Sequence, residues 1–384
     1  MNFLDRAPSP YYSVDHDAFR ATVARFVAHE IEPHVDAWEE AGEFPSELYV
    51  KAARAGILGI GFDERYGGCG GDPFHRVILA EEISRAGAGG LTSALMNHGV
   101  ALPPIVAAGS EAMKTRVLPE VLSGRKQSAL AVTEPTGGSD VANLKTTAVR
   151  SGASYRVNGS KMFITSGMRA DYFTVAVRTG GPGMTGISLL LVERGTPGFT
   201  QHRLKTMGWA CADITSLEFS NCLVPVENLI GAENSGFSTM MLDFNVERLF
   251  MAASGTSLAR VCLQEAAAYA RSRVAFGQPL ADKQVIRHKL VDMAMKVNAT
   301  QAYLEHIAWR IDRGEQPTAD ICMLKNMASL TLEYCAREAV QIFGATGYMR
   351  GTKVERIYRE VRVNAIGGGA EEVMRDFAAV NLGL

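Results

Sequence analysis

The most constraining feature of this 384-residue chain is a change of hydrophobic period that happens twice. From about residue 15 to 128, apolar residues recur at helical spacing. Phe19, Val23, Phe26 and Ile31 make one stripe; Met113, Val117, Leu118, Val121 and Leu122 make another. Breaks fall at Pro33, Gly67-Gly68 and Pro103-Pro104. From 129 the texture changes to short runs of strand formers, at 172–178, 187–192 and 216–220. Turn clusters at Asn158-Gly159, 179–183 and 195–198 separate them. After about 236 the helical period returns. Leu290, Met293, Val297, Leu304, Ile307 and Ile311 predict one long amphipathic helix. Ile321, Leu324, Met327, Thr331, Cys335 and Ile342 predict another, with 314–317 as the connection. The pattern predicts a mainly α chain with a central β domain. Helices fill 1–128, a small antiparallel barrel or sandwich 129–235, and a helical bundle 236–384.

Composition narrows the function classes. Hydrophobic residues are 47% and charged residues 21%, the balance of a globular protein. With 39 basic and 41 acidic residues, no global field is available to hold nucleic acid or an anionic membrane. No run of about eighteen apolar residues offers a membrane span. Cysteines 69, 211, 222, 262, 322 and 335 show no framework spacing, which predicts reduced, mostly buried thiols. The first twelve residues have neither the basic start nor the apolar run of a signal peptide. The expectation is a soluble cytoplasmic protein, with the mitochondrial matrix as the other compartment. Glycine is the outlier: an average near 7% gives about 27, and this chain has 38.

Several familiar motifs are absent on inspection. Residues 181–186 fit G-x-G-x-x-G by letters but lie between two predicted strands, where a dinucleotide fingerprint needs a strand before and a helix after. No Gly-Lys pair exists, so there is no P-loop. His29 to His34 is one residue too long for a zincin, and Pro33 would break its helix. The other histidines are scattered, and no metal is expected.

Three glycine-bearing segments remain, each beside residues that bind better than they pack. They are Thr133-Glu-Pro-Thr-Gly-Gly-Ser-Asp140, the turn and strand of 158–167, and Gln341-Ile-Phe-Gly344 with its sequel Ile366-Gly-Gly-Gly-Ala370. By letters alone the first reads more readily as an ordinary turn than as a ligand segment. Glu247 is a further oddity. Its helical neighbours Phe244, Phe250 and Met251 are large and apolar, so it reads equally as a carboxylate on a buried face, competent as a base near neutrality, or as an ordinary solvated helix glutamate. Arg248 beside it could hold an anionic ligand group or pair with an acid.

Together these segments resemble the acyl-CoA dehydrogenase family, over nearly the whole chain. The resemblance runs through Phe44-Pro45, Arg65-Tyr-Gly-Gly68, Thr133-Glu-Pro to Ser139-Asp140, and Asn158-Gly-Ser-Lys161. It continues through Arg273-Val-Ala-Phe-Gly-Gln-Pro279 and Gln341-Ile-Phe-Gly344, and closes on Val354-Glu-Arg-Ile-Tyr-Arg359. It implies the architecture read above, with FAD bound without a Rossmann fold. Leu130, Val132, Thr133 and Ser139 would then line the flavin with Phe163 and Thr165, the two threonines bonding the ring edge. Arg273 would meet the pyrophosphate of a neighbouring subunit's FAD, with Phe276 and Gln284 beside it. Gln341, Gly344 and Ala345 would follow its adenosine part, and Ala370 and Glu372 would complete the cofactor set. Ser139, Asn245, Arg248 and Gly369 would hold the CoA thioester. The resemblance implies a homotetramer acting in fatty acid β-oxidation. Electron-transfer flavoprotein is the acceptor it implies.

The chemistry implied is removal of two hydrogens across Cα–Cβ of an acyl-CoA. A carboxylate takes the α proton, and the β hydrogen leaves as hydride. Many family members carry that carboxylate in a final I-Y-E-G-T segment; here the matching residue is Gly368. Long-chain and isovaleryl-type members instead use a glutamate immediately before a helix arginine, and Glu247 before Arg248 matches them. Gly368 would still polarise the thioester carbonyl through its N–H. Gly367 stands where tyrosine is usual, so loss of a ring and a carboxylate should widen the pocket for a long or branched acyl chain. Ala370 replaces a threonine that commonly contacts FAD. The rival expectations are a flavin oxidase or monooxygenase on the same fold, or a non-catalytic flavin-binding helical protein.

Overall fold

The structure, a computed structural model, describes residues 2–5 and 8–384, leaving aside the side chains of Leu242 and Asp243. The helices used below are α1 (Val14–Phe26), α2 (Pro73–Ser84), α3 (Glu111–Leu122), α4 (Gly236–Ser272), α5 (Gln284–Asp312), α6 (Thr318–Phe343), α7 (Lys353–Glu360) and α8 (Glu371–Leu382). The expected order of helical, β and helical regions is present. Two compact units form: Met1–Ala37, Gly71–Thr92 and Arg248–Leu384 make one, and Trp38–Gly70 with Ser93–Glu247 make the other.

The first unit is helical. Leu258, Val261 and Cys262 of α4 share a core with Met293 and Val297 of α5, Leu332 and Cys335 of α6, and Val354 and Ile357 of α7. The sequence stripes of α5 and α6 are these buried faces, and 314–317 joins them as expected. In the closing motif, Arg356 is structural: its guanidinium donates to the carbonyls of Gly87 (2.7 Å) and Ala86 (3.1 Å). Helices α1 and α2 start in matched capping boxes, Ser13 with His16 and Asp72 with His75. His16 Nε2 reaches Asp72 at 2.9 Å, so three possible metal ligands that looked scattered in sequence gather within 4.8 Å. Their ring Nδ1 atoms are engaged at the caps, which accounts for the grouping without an ion.

The second unit is built on an eight-stranded sheet. Its strands are β1 (Ser128–Ala131), β2 (Thr147–Ser151), β3 (Ser154–Ile164), β4 (Tyr172–Arg178), β5 (Ile187–Glu193), β6 (Phe199–Arg203), β7 (Thr215–Pro225) and β8 (Leu229–Ile230). They run in the order β6-β7-β3-β2-β4-β5-β8, with β1 pairing β4. Most ladders are antiparallel as expected, but β1 and β2 each meet β4 in parallel. Strands β4 and β5 are buried at all but their last residue because both faces are covered. One face meets Val117, Leu118 and Val121 of α3; the other meets Val157, Leu217, Phe219 and Val224 of β3 and β7.

Asn158-Gly159 is not the expected turn. Strand β3 runs through it, with a register shift against β7 between Val157 and Gly159. Gly159 has φ +140°, and a Cβ there would lie 2.7 Å from Thr146 Cα. The β2–β3 turn comes earlier, at Gly152. All six cysteines are free thiols, five buried and Cys69 exposed.

Candidate active site

In the second unit, β1 leads into the segment that begins at Thr133. The Met162 N–H donates to the Thr133 carbonyl at 2.8 Å, which ties this segment to the end of β3. Beneath it lies Lys161, fully buried, whose ammonium donates to the Val132 carbonyl (3.0 Å) and to Glu134 Oε1 (2.8 Å). Glu134 also accepts the N–H groups of Lys145 (2.5 Å) and Thr146 (2.9 Å). Burial acts to raise its carboxyl, but the charge and hydrogen bond of Lys161, with the two N–H donors, outweigh that and leave it low. Burial likewise pushes Lys161 down to about 8, against the pull of Glu134. On this base, residues 135–140 are exposed. Phe163 takes a left-handed backbone, φ +62°, and its ring is 62% exposed. Asn97 donates to the carbonyls of Ser128 (2.9 Å) and Thr165 (3.1 Å), fixing the two ends together.

In the first unit, the decisive feature is the glycine turn before α8. Gly368 and Gly369 have φ +64° and +109°. A Cβ on Gly368 would stand 2.5 Å from Met251 Sδ, and one on Gly369 2.4 Å from Met374 Cε. Arg248 Nε donates to the Gly368 carbonyl (3.2 Å), and Lys325 Nζ to the Gly369 carbonyl (2.6 Å). The turn thus presents a backbone with no side chain of its own, braced by two buried cations.

Sequence models of three domains match the chain in order. The acyl-CoA dehydrogenase N-terminal domain covers residues 13–125, the middle domain 129–222 and the C-terminal domain 234–383. The chain belongs to the acyl-CoA dehydrogenase family. It is 34% identical to the mitochondrial long-chain specific acyl-CoA dehydrogenase of Sus scrofa, over 96% of this chain and 86% of that one. A solved protein from Mycobacterium abscessus, described as a probable acyl-CoA dehydrogenase, superposes with TM-score 0.95 at 45% identity, covering 97% and 100% of the two chains. A Mycobacterium smegmatis glutaryl-CoA dehydrogenase in complex with FADH2 gives 0.92 at 26% identity, covering 97% and 96%.

For an acyl-CoA dehydrogenase, the expected residues fall into separate groups. Leu130, Val132, Thr133, Phe163 and Thr165 lie together in the second unit, with Ser139 on the exposed part of the segment. Arg273, Phe276 and Gln284 belong to the first unit. There a hairpin pairs Val274–Ala275 with Gln278–Pro279, and Phe276 at its tip is 97% exposed, φ +53°. Gln341, Gly344 and Ala345 end α6, where Gly344 at φ +60° stops the helix. Ala370 and Glu372 follow the glycine turn into α8. Asn245 and Glu247 lie on α4, both half-buried.

Two expectations need correction. Glu247, Phe244, Phe250 and Met251 are half-buried, not a core face; the buried member of the group is Arg248. The room beside Gly368 is not left open either, because the Met251 thioether stands there. Residue reading also missed Glu134 and Lys325 as supports. Lys325 was visible in principle: it lies four residues after Ile321 and three before Ala328, on the stripe that α6 buries.

Proposed function

We propose that this acyl-CoA dehydrogenase uses FAD to introduce an α,β double bond into a long or branched acyl-CoA, with Glu247 as the base. The carrying observation is Gly368. It offers a backbone and no carboxylate, with Met251 sulfur where a side chain would begin, while Glu247 directly precedes the arginine that grips its carbonyl.

The residues of the second unit suit a flavin. The hydroxyls of Thr133 and Thr165 make no hydrogen bond among the described residues, and the exposed Phe163 ring offers a flat apolar face beside them. Leu130, Val132 and Ser139 would complete that cradle. Arg273, Phe276, Gln284, Gln341, Gly344, Ala345, Ala370 and Glu372 would serve the rest of the cofactor. Bound FAD supplies an acceptor for the hydride that leaves Cβ.

The chain's own groups handle the proton. Ionised Glu247 takes it from Cα, while the Gly368 N–H donates to the thioester oxygen as negative charge grows there. Ser139, Asn245 and Gly369 hold the thioester; Arg248 acts on it through the Gly368 carbonyl. A Cβ on Gly367 would meet Val363 O at 3.3 Å and Met251 Cε at 3.7 Å, so the preference for a long or branched chain rests on the missing tyrosine and glutamate side chains. The exposed apolar hairpin at Val274 and Phe276 supports a homotetramer in which subunits share cofactor sites. Electron-transfer flavoprotein is the proposed acceptor, β-oxidation in the cytoplasm the setting, and 1–128, 129–235 and 236–384 the functional domains.

Anaerobic titration of the yellow protein with a panel of acyl-CoAs tests the reading. Wild type should lose its oxidised flavin band with long or branched substrates faster than with butyryl-CoA. Glu247→Gln should slow bleaching by about 10²–10⁴-fold. Bleaching at the wild-type rate by that variant would remove Glu247 as base; fastest reaction with butyryl-CoA would remove the chain preference.

A further inference from the structure

The turn at 367–369 has no side chains, so its shape must be imposed from outside. Before it, the Gly367 N–H donates to the Val363 carbonyl at 2.7 Å. After it, the Met374 N–H reaches the Ala370 carbonyl (2.9 Å), and Asn326 Nδ2 reaches the Glu371 carbonyl (2.9 Å). Between these anchors, each carbonyl is held by a cation: Gly368 by Arg248, 6% exposed, and Gly369 by Lys325, 1% exposed.

A trans peptide is planar, so fixing a carbonyl oxygen fixes the next residue's N–H in the opposite direction. Holding Gly368 O therefore sets the Gly369 N–H, and holding Gly369 O sets the Ala370 N–H. The Gly368 N–H is confined between held neighbours. None of these three N–H groups has an acceptor among the described residues. They are donors that the turn leaves open.

A neutral side chain could brace a carbonyl, yet here an ammonium is buried to do it. Charge-assisted bonds are stronger than neutral ones, and burying the charge is costly.

We infer that Lys325 is a positioning residue for the dehydrogenation. Through Gly369 O, and alongside Arg248 on Gly368 O, it holds the turn so that its N–H groups can meet the thioester oxygen. This rests on the reading above, in which the turn polarises the carbonyl while Glu247 removes the proton.

The test is α-hydrogen exchange in D2O of 3-thiaoctanoyl-CoA on the FAD-loaded enzyme, followed by mass spectrometry. Sulfur at the β position leaves no hydride to transfer, so exchange reports deprotonation alone. Lys325→Met should slow exchange at least about tenfold while the Kd for the analogue changes less than about threefold. Lys325→Arg, which keeps a charged donor, should stay within about tenfold of wild type. Wild-type-like exchange by K325M overturns the inference. So does a loss that tracks weakened binding, or an equal loss in K325R, since those mark a merely structural lysine. Where K325M does not fold, K325R alone decides by the same tenfold limit. Glu247→Gln separates the two readings. Exchange retained in E247Q sinks the base assignment, whereas exchange lost in E247Q but kept in K325M sinks only the role of Lys325.

Discussion

Two lysines lie buried at the two proposed ligand segments, and they are buried on different terms. Lys161 meets a carboxylate, Glu134, as well as the Val132 carbonyl. Lys325 meets the Gly369 carbonyl. Both hold a backbone segment by its oxygen, but the first sits in an ion pair that also binds two N–H groups. The lesson is that the same buried residue can brace a shelf or a turn by gripping a backbone oxygen. Around Thr133 the requirement is a rigid shelf, and a buried pair supplies rigidity. At Gly368 a backbone without side chains has to be pinned, and a lysine that donates to the next carbonyl does that.

The comparison can be broken by stability measurements. Glu134→Gln should have the largest effect, about 3–5 kcal/mol by chemical denaturation, because it leaves the Lys161 ammonium buried without its carboxylate. Lys325→Met should cost less, about 1–3 kcal/mol. Equal losses would mean the two lysines are not buried on different terms.

The glycines beside them should divide in the same direction. At Gly159 a methyl would meet the Thr146 backbone, with φ at +140°, so Gly159→Ala should cost about 3 kcal/mol. At Gly368 it would meet the movable end of Met251 with φ at +64°, and Gly368→Ala should cost about 1–2 kcal/mol. A reversed order in thermal denaturation would show that the shelf yields more readily than the turn.

The smallest effect is a slope. Lys161 is held at about 8 when folded, against an ordinary value of 10.5. Between those values the unfolded chain binds more protons than the folded one, so this group makes stability rise as pH rises from about 8 to about 10.5. Lys161→Met should remove that contribution from the stability–pH curve; an unchanged slope would refute the depressed lysine.

Much of the fold was legible because long apolar patterns are averaged over many residues. Strand β4 occupies 172–178 as read, and α5 and α6 bury the stripes named from sequence. Local dipeptides were less informative. Asn158-Gly159 has the letters of a hairpin turn, but pairing of β3 with β7 on both sides of it makes a bulge cheaper than a reversal. Charged supports were hardest to see, since their partners lie far along the chain. Lys161 and Glu134 are 27 residues apart, and Lys325 and Gly369 are 44 apart. The absent carboxylate at Gly368 was plain in the sequence. That Met251 fills the place beside it was not, because nothing in either segment announces their contact.

That methionine sets an order on molecular history. With Met251 Sδ 2.5 Å from where a Cβ would begin, a glutamate cannot return to position 368 until residue 251 moves or shrinks. The base proposed at Glu247 would thereby be reinforced by a neighbour that never touches the proton.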